Sequence, residues 1–135
     1  MAGLIAIGVG CRKACSPDAI TALVRDALAR AGALEGERRL FSLADKRGEP
    51  GLVAAAETLG FALVFLPRDR LAAEEPRLLT RSSAAERRFG LASVAEAAAL
   101  AGAGPGARLL GPRRAAGGAT CAIALAGDLR ASVTA

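Results

Sequence analysis

The 135-residue sequence has no histidine, no tryptophan and no tyrosine, and only four phenylalanines. Without imidazole there is no histidine general base, no Ser–His or Cys–His pair and no ordinary zinc site. With so few aromatic side chains, a platform on which single-stranded nucleic acid could stack is not expected. Lysine is nearly absent as well: sixteen of the eighteen basic residues are arginine, and Lys13 and Lys46 are the other two. The longest run free of charge, Ala115 to Gly127, has 13 residues and is rich in glycine, whereas a membrane span needs roughly 20 mostly apolar residues. Met1 to Gly10 has no basic n-region and reads as a strand, not as a secretion signal. Three cysteines, Cys11, Cys15 and Cys121, make an odd count without a disulfide framework. They point to free thiols in a reducing compartment, and the expected location is cytoplasmic.

What is present is a chain that folds. Hydrophobic residues make up 53% of it, which excludes disorder, and its length fits one domain, residues 1–135. A chain of this size buries roughly two-thirds of its surface on folding, without metal or disulfide staples. The net charge is +5. It is either an ordinary arginine surface, favoured by the Ala/Arg skew of a GC-rich genome, or the imprint of a partner bearing carboxylates or phosphates.

Leu4 to Val9 is a short apolar run closed by Gly8 and Gly10, the pattern of a strand buried on both faces. Ser16-Pro17-Asp18 then supplies an N-cap, a proline at N1 and an acid in the first turn. Ile20, Leu23, Val24, Ala27, Leu28 and Ala31 follow at helical spacing, with Gly32 as the stop. A second strand is expected at Arg39 to Leu43, a polar loop at Asp45 to Glu49, a helix from Pro50 to Gly60 and a strand from Phe61 to Leu66. Helices between successive strands imply right-handed crossovers and parallel pairing. Further on, a short helix is expected at Asp69 to Glu74. Ser83 with Glu86, and Ser93 with Glu96, match capping boxes on two helices divided by Gly90, the second ending by Gly102. Strands at Arg108 to Leu110 and Thr120 to Ala126 are joined by a loop, Gly111 to Gly118, too short for a crossover helix. The expected fold is α/β with a mixed, mostly parallel five-stranded sheet.

Gly8-Val9-Gly10-Cys11-Arg12-Lys13 opens like a dinucleotide fingerprint, but the third glycine position is Lys13 and no acid closes the second strand. The loop still runs from the carboxyl end of a strand toward a helix N-terminus, a place that favours anions. It serves equally well as a tight turn with solvated basic residues. Cys11 and Cys15 are spaced as at the start of a radical iron–sulfur motif, but the third position is Asp18, so no metal site is expected. Cys11 is either a thiolate favoured by the helix end and by Arg12 and Lys13 or a quiet, partly buried thiol. Cys121 belongs to the core. Glu49 has the capping of the Pro50 helix as its structural role and Glu96 the capping box with Ser93, while Lys46 has no such structural role, although a solvated loop lysine needs none.

Three segments combine into a resemblance. They are Gly8-Val9-Gly10-Cys11-Arg12-Lys13 with Ser16 ahead of a helix, Asp45-Lys46-Arg47-Gly48-Glu49-Pro50-Gly51-Leu52, and Ser93-Val94-Ala95-Glu96-Ala97-Ala98-Ala99-Leu100. In this order and spacing the chain resembles, over nearly its whole length, the CobE and CbiG C-terminal-domain family of cobalamin biosynthesis. The resemblance implies a three-layer α/β/α sandwich and a role in assembling the corrin ring. It implies no bound cofactor, since the macrocycle's own nitrogens would hold any cobalt. The residues it carries over are Gly10, Cys11, Arg12, Lys46, Glu49 and Glu96. The chain departs from the family at Ala14, where glycine is usual, and at Arg113, where lysine often stands.

A precorrin is rimmed with carboxylates, so a cleft holding Arg12, Lys13, Lys46 and Arg113 suits it. Two activities stay open. One is binding of a precorrin intermediate, as a carrier or beside other cobalamin-pathway enzymes. The other is opening of a precorrin lactone, which the resemblance to CbiG implies, with Glu49 or Cys11 as base or nucleophile. A small phosphate- or nucleotide-binding domain is the alternative that the fold alone allows. Neither nucleic acid nor a membrane is an expected partner.

Overall fold

The structure is a computed structural model and describes residues 3–127; Arg130, expected to be remote from the site, lies outside them. In chain order the elements are β1 (Gly3–Cys11), α1 (Pro17–Ala31), β2 (Gly36–Leu43), α2 (Pro50–Leu59), β3 (Ala62–Leu66), α3 (Arg68–Ala72), α4 (Ser83–Phe89), α5 (Val94–Ala103), β4 (Arg108–Leu109), β5 (Arg114–Ala116) and β6 (Ala119–Leu125). The strand order is β3-β2-β1-β6-β4, with β5 also paired to β6. β1 pairs parallel with β2, with Ile7 opposite Leu40, and β2 pairs parallel with β3. β6 runs antiparallel to β1, β4 and β5. The sheet is therefore mixed, and only β6 opposes the common direction.

Side-chain size alternates along β1 and sets the two flanking layers. Ile5, Ile7 and Val9 face α1 and α2, where they pack with Ile20, Val24, Leu40 and Leu52. On the other face stand Ala6, Gly8 and Gly10, and there α5 comes close. A Cβ on Gly8 would lie 1.9 Å from the Ala95 carbonyl oxygen, and one on Gly102 2.5 Å from the Phe41 ring. Ala95, Ala99, Ala122 and Ala124 are buried in this seam. Leu71 of α3 and Leu91, just after α4, complete the layer beside α5. The three-layer sandwich is thus a bulky interface on one side of β1 and an alanine–glycine interface on the other.

The sheet has six strands where five were expected. The extra strand, β5, falls in the segment read as a loop between Gly111 and Gly118. Gly117 and Gly118 both have positive φ (61° and 85°), the geometry of a two-residue hairpin turn, and they fold Arg114–Ala116 back onto β6. Elsewhere the differences are at boundaries. β1 and β2 are longer than their apolar cores, α4 already includes Ser83, and α5 runs through Gly102 to a cap at Gly104. Gly102 does not stop the helix because its missing side chain is what lets α5 rest on Phe41. No helix among the described residues is long and apolar enough to cross a membrane.

Gly8→Ala is expected to destabilise the fold by about 2–3 kcal/mol, because the added methyl meets helix backbone that cannot give way. Gly48, where a Cβ meets open space, is the control. Equal midpoints for the two alanine variants in chemical denaturation would contradict the close helix–sheet seam.

Candidate functional site

Parallel pairing of β1 and β2 brings the loops after both strands to one edge of the sheet. The first loop leaves β1 at Cys11 and reaches the cap of α1, where Ser16 Oγ accepts from the Asp18 and Ala19 amides at 3.1 and 3.4 Å. The second follows β2 as a short 3-10 turn, Ala44–Lys46, and ends at Glu49 ahead of α2. Between the strands, buried Ser42 donates through Oγ to the Val9 carbonyl at 2.6 Å.

Glu49 stands at the N-cap position of α2, yet its side chain makes no capping bond. Its Oε1 instead accepts from the Ala14 amide at 2.8 Å and ties the two loops together. The capping role expected for Glu49 is replaced by this long-range bond. Ala14 is the one non-glycine residue with positive φ (61°) among the described residues. That conformation is costly for any residue with a Cβ, and glycine would adopt it without strain.

Lys46 is not solvated. It is only 5% exposed, and its Nζ lies over the Phe89 ring at 5.3 Å from the centroid, a cation–π contact that ties the second loop to α4. Asp45 beside it is held by Arg68. Cys11 is buried beneath these groups. Burial pushes its thiol up to about 11; the nearby Lys46 ammonium lowers it in part, while Cys15 and Glu49 raise it. Of the two readings of Cys11, burial favours the quiet thiol, because desolvation outweighs the loop charges. Cys15 and Cys121 are likewise buried free thiols. Cys15 Sγ donates to the Gly117 carbonyl at 3.4 Å, and burial pushes Cys121 up to about 12.

Arg12 and Lys13 are exposed on the first loop. The Arg12 amide donates to the Gly118 carbonyl at 3.0 Å, and its guanidinium lies across the β5–β6 turn, where a Cβ on Gly118 would come within 2.5 Å of Nε. Gly10 is close-packed against protein: a Cβ there would meet Thr120 Oγ1 at 2.6 Å and Val94 Cβ at 3.5 Å. The bare backbone therefore admits neighbouring side chains and does not form a phosphate cradle.

Glu96 is completely buried in α5. Ser93 caps the helix, accepting from the Glu96 amide at 3.3 Å, but the Glu96 carboxylate does not return the bond. Its Oε1 accepts from the Leu79 and Thr80 amides at 2.7 and 2.9 Å. Its Oε2 accepts from Thr80 Oγ1 at 2.6 Å and from the Arg113 amide at 2.9 Å. Glu96 thus anchors two loops from within and places Arg113 between β4 and β5. Arg113 lines a groove between α1 and the β4–β5–β6 edge, while Cys11, Lys46 and Glu49 share the loop edge. Phe89, Thr80 and the Gly117–Gly118 turn are parts of the site that sequence reasoning missed. Of these, Phe89 offered a signal as one of four aromatic residues, and Gly117-Gly118 as a two-glycine pair of the kind that turns hairpins. Among the described residues, no group of three or more Cys, Asp or Glu side chains converges to hold a metal ion.

With this geometry in hand, comparison with known proteins is decisive. The family model for the cobalamin synthesis G C-terminus matches residues 5–124. This chain belongs to that family. It is 37% identical to protein CobE from Sinorhizobium sp over 131 residues, 96% of this chain and 84% of that one. Its fold matches the crystal structure of CobE, a protein from the cobalamin biosynthetic pathway, with a TM-score of 0.84 and 42% identity, covering 92% of this chain and 91% of the other. It also matches cobalamin biosynthesis protein chiG from Agrobacterium tumefaciens str. C58, with a TM-score of 0.69 and 37% identity over 92% of this chain and 99% of that one.

Two outcomes are expected from this family member's loops. Ala14→Gly relieves the left-handed conformation and should stabilise the protein by about 0.5–1 kcal/mol, part of the relief being offset by the freer unfolded chain. A raised melting temperature checks this, and a lowered one contradicts it. Stability should also fall as pH rises from about 9 toward 11. In the unfolded chain the thiols ionise near the ordinary value of 9.0, while Cys11 and Cys121 keep their protons in the fold. The unfolded state thus binds fewer protons in this window and is favoured by raising the pH. With no tyrosine and two lysines, few other groups titrate there. Denaturation midpoints of Cys11→Ala should show a shallower fall.

Proposed function

We propose that this chain binds a precorrin or related corrinoid intermediate of cobalamin biosynthesis at the edge formed by the loops after β1 and β2. The observation that supports this most is the Ala14–Glu49 bond at 2.8 Å, which ties the loop that carries Arg12 and Lys13 to the loop that carries Lys46. Arg12 and Lys13 would meet the peripheral carboxylates of the macrocycle. Lys46, held over Phe89, would add a positive field from below. In this reading the protein works in the cytoplasm, holding an intermediate or passing it to another enzyme of the pathway.

Binding is favoured over lactone hydrolysis because burial pushes the Cys11 thiol up, away from its nucleophilic form, and the chain has no histidine to serve as its base. Glu49, which holds the Ala14 amide through Oε1, is the group that a hydrolase would have to use as base. A phosphate- or nucleotide-binding role is less well supported, since Ser16 already occupies amides at the N-terminus of α1. Glu96, whose carboxylate is fully satisfied by protein donors, acts by positioning loops and does not touch ligand.

Incubation with successive precorrins, followed by absorption spectra and product masses, tests the proposal. Wild type should bind with unchanged ligand mass, and Arg12→Ala should weaken binding by about 1.5–3 kcal/mol as a charge-assisted contact is lost. Arg25→Ala, on the exposed side of α1, should bind as wild type does. Equal binding by both variants would remove the loop edge as the site. A lactone-opened product that Glu49→Gln abolishes would establish the hydrolase instead.

A further inference from the structure

The groove that Arg113 lines has a volume of about 550 Å³, within the usual range for small-molecule sites. Its floor is apolar, made by Leu23 and Ala27 of α1 and by Cys121 and Ile123 of β6. Its rim carries three guanidinium groups, Arg30, Arg113 and Arg114, against one carboxylate, Asp26. Asp26 is shared: Arg30 Nε lies 3.0 Å from its Oδ2 and Arg114 Nε 3.4 Å from the same oxygen. All three side chains are more than two-fifths exposed, so these pairs are weak and open to exchange with a competing anion.

The groove is also joined to the loop edge. β5 carries Arg114 and leads into the Gly117–Gly118 turn, and Arg12 lies across that turn. The distance from Arg114 to the turn is three residues of strand, roughly 10 Å at about 3.3 Å per residue. Positive charge therefore continues along the hairpin from Arg12 to Arg114 and Arg30, above an apolar floor. A flat apolar body with several carboxylates on its rim matches that arrangement, and a compact phosphate leaves the floor unused.

We propose that the groove between α1 and the β5–β6 hairpin is a second contact region for the ligand. One edge of a polycarboxylated tetrapyrrole lies on Leu23, Ala27 and Ile123 there, and its carboxylates take Arg30 and Arg114 from Asp26. This rests on the reading above that the ligand is a carboxylate-rimmed tetrapyrrole, and it extends the site beyond the loop edge. Asp26 acts as a built-in competitor that keeps the two arginines paired until a ligand arrives.

Titration with uroporphyrin, a fully carboxylated aromatic tetrapyrrole, tests the groove in the intact chain. Arg30→Ala and Arg114→Ala should each weaken binding about three- to tenfold, as an exposed charge contact is lost. Asp26→Asn should tighten it by about twofold or more, a gain that a damaged fold cannot produce. In NMR spectra the macrocycle's ring current should move the methyl signals of Leu23 and Ile123 and leave those of Leu71, on the other face of the sheet, in place. If all three groove variants bind like wild type while Arg12→Ala is weakened, the groove proposal is overturned and the loop-edge reading survives. If wild type does not take up uroporphyrin, the groove proposal also fails, and the precorrin titration decides the loop edge separately.

Discussion

The seam between α5 and the central strands is the constraint on which the rest of the structure depends. Glycine at position 8 and alanines at 6, 122 and 124 give the sheet a face with almost no relief, and Ala95 and Ala99 of α5 settle onto it. Small residues allow backbone-to-backbone approach and so give dense packing from little side-chain surface. They also leave no slack. Because α5 sits this deep, its first turn is drawn into the protein, and Ser93 and Glu96 are buried although both are polar.

A buried carboxylate has to be satisfied, since a lone one would cost several kcal/mol. Glu96 meets that requirement with donors from Leu79, Thr80 and Arg113. The segment ahead of α4 and the turn between β4 and β5 are therefore fixed by the same group, and the groove beside Arg113 takes its shape from it. Glu49 does the equivalent on the other side of β1, with one oxygen on the Ala14 amide. Two acids that resemble capping residues in sequence are thus the fasteners of the site. The basic residues they position are left free to face outward.

Much of the fold is legible in the sequence because its determinants are local. Ser16-Pro17 starts α1, Gly32 stops it, and the apolar run at Leu4 to Val9 has no reading other than a buried strand. The meeting of the first two loops follows from parallel pairing alone. Its details do not. Glu49 finds its partner 35 residues away, and Glu96 finds its partners 16 and 17 residues away. No periodicity records such distances, so the local role, a helix cap, is what the pattern suggests. The burial of Lys46 is not legible for the same reason: a loop lysine is ordinarily solvated, and Phe89, which Lys46 meets, stands 43 residues on in α4. The missed strand β5 has three exposed residues, Arg114, Ala115 and Ala116, and so lacks any alternation to read. Its strand character comes from the two-glycine turn and from β6.

The composition then acquires a physical meaning at the site. The outward cationic groups of the loop edge and groove are Arg12, Lys13, Arg30, Arg113 and Arg114, nearly all guanidinium, which keeps its charge at any physiological pH. No histidine stands among them, and burial pushes the Cys11 and Cys121 thiols up, further from neutrality. The protein's side of an encounter with a polycarboxylate is therefore constant across the neutral range. What varies is the ligand's own ionisation and the counter-ions competing for the arginines. These cationic groups stand on a scaffold fastened by half-buried Glu49 on one side and by fully buried Glu96 on the other.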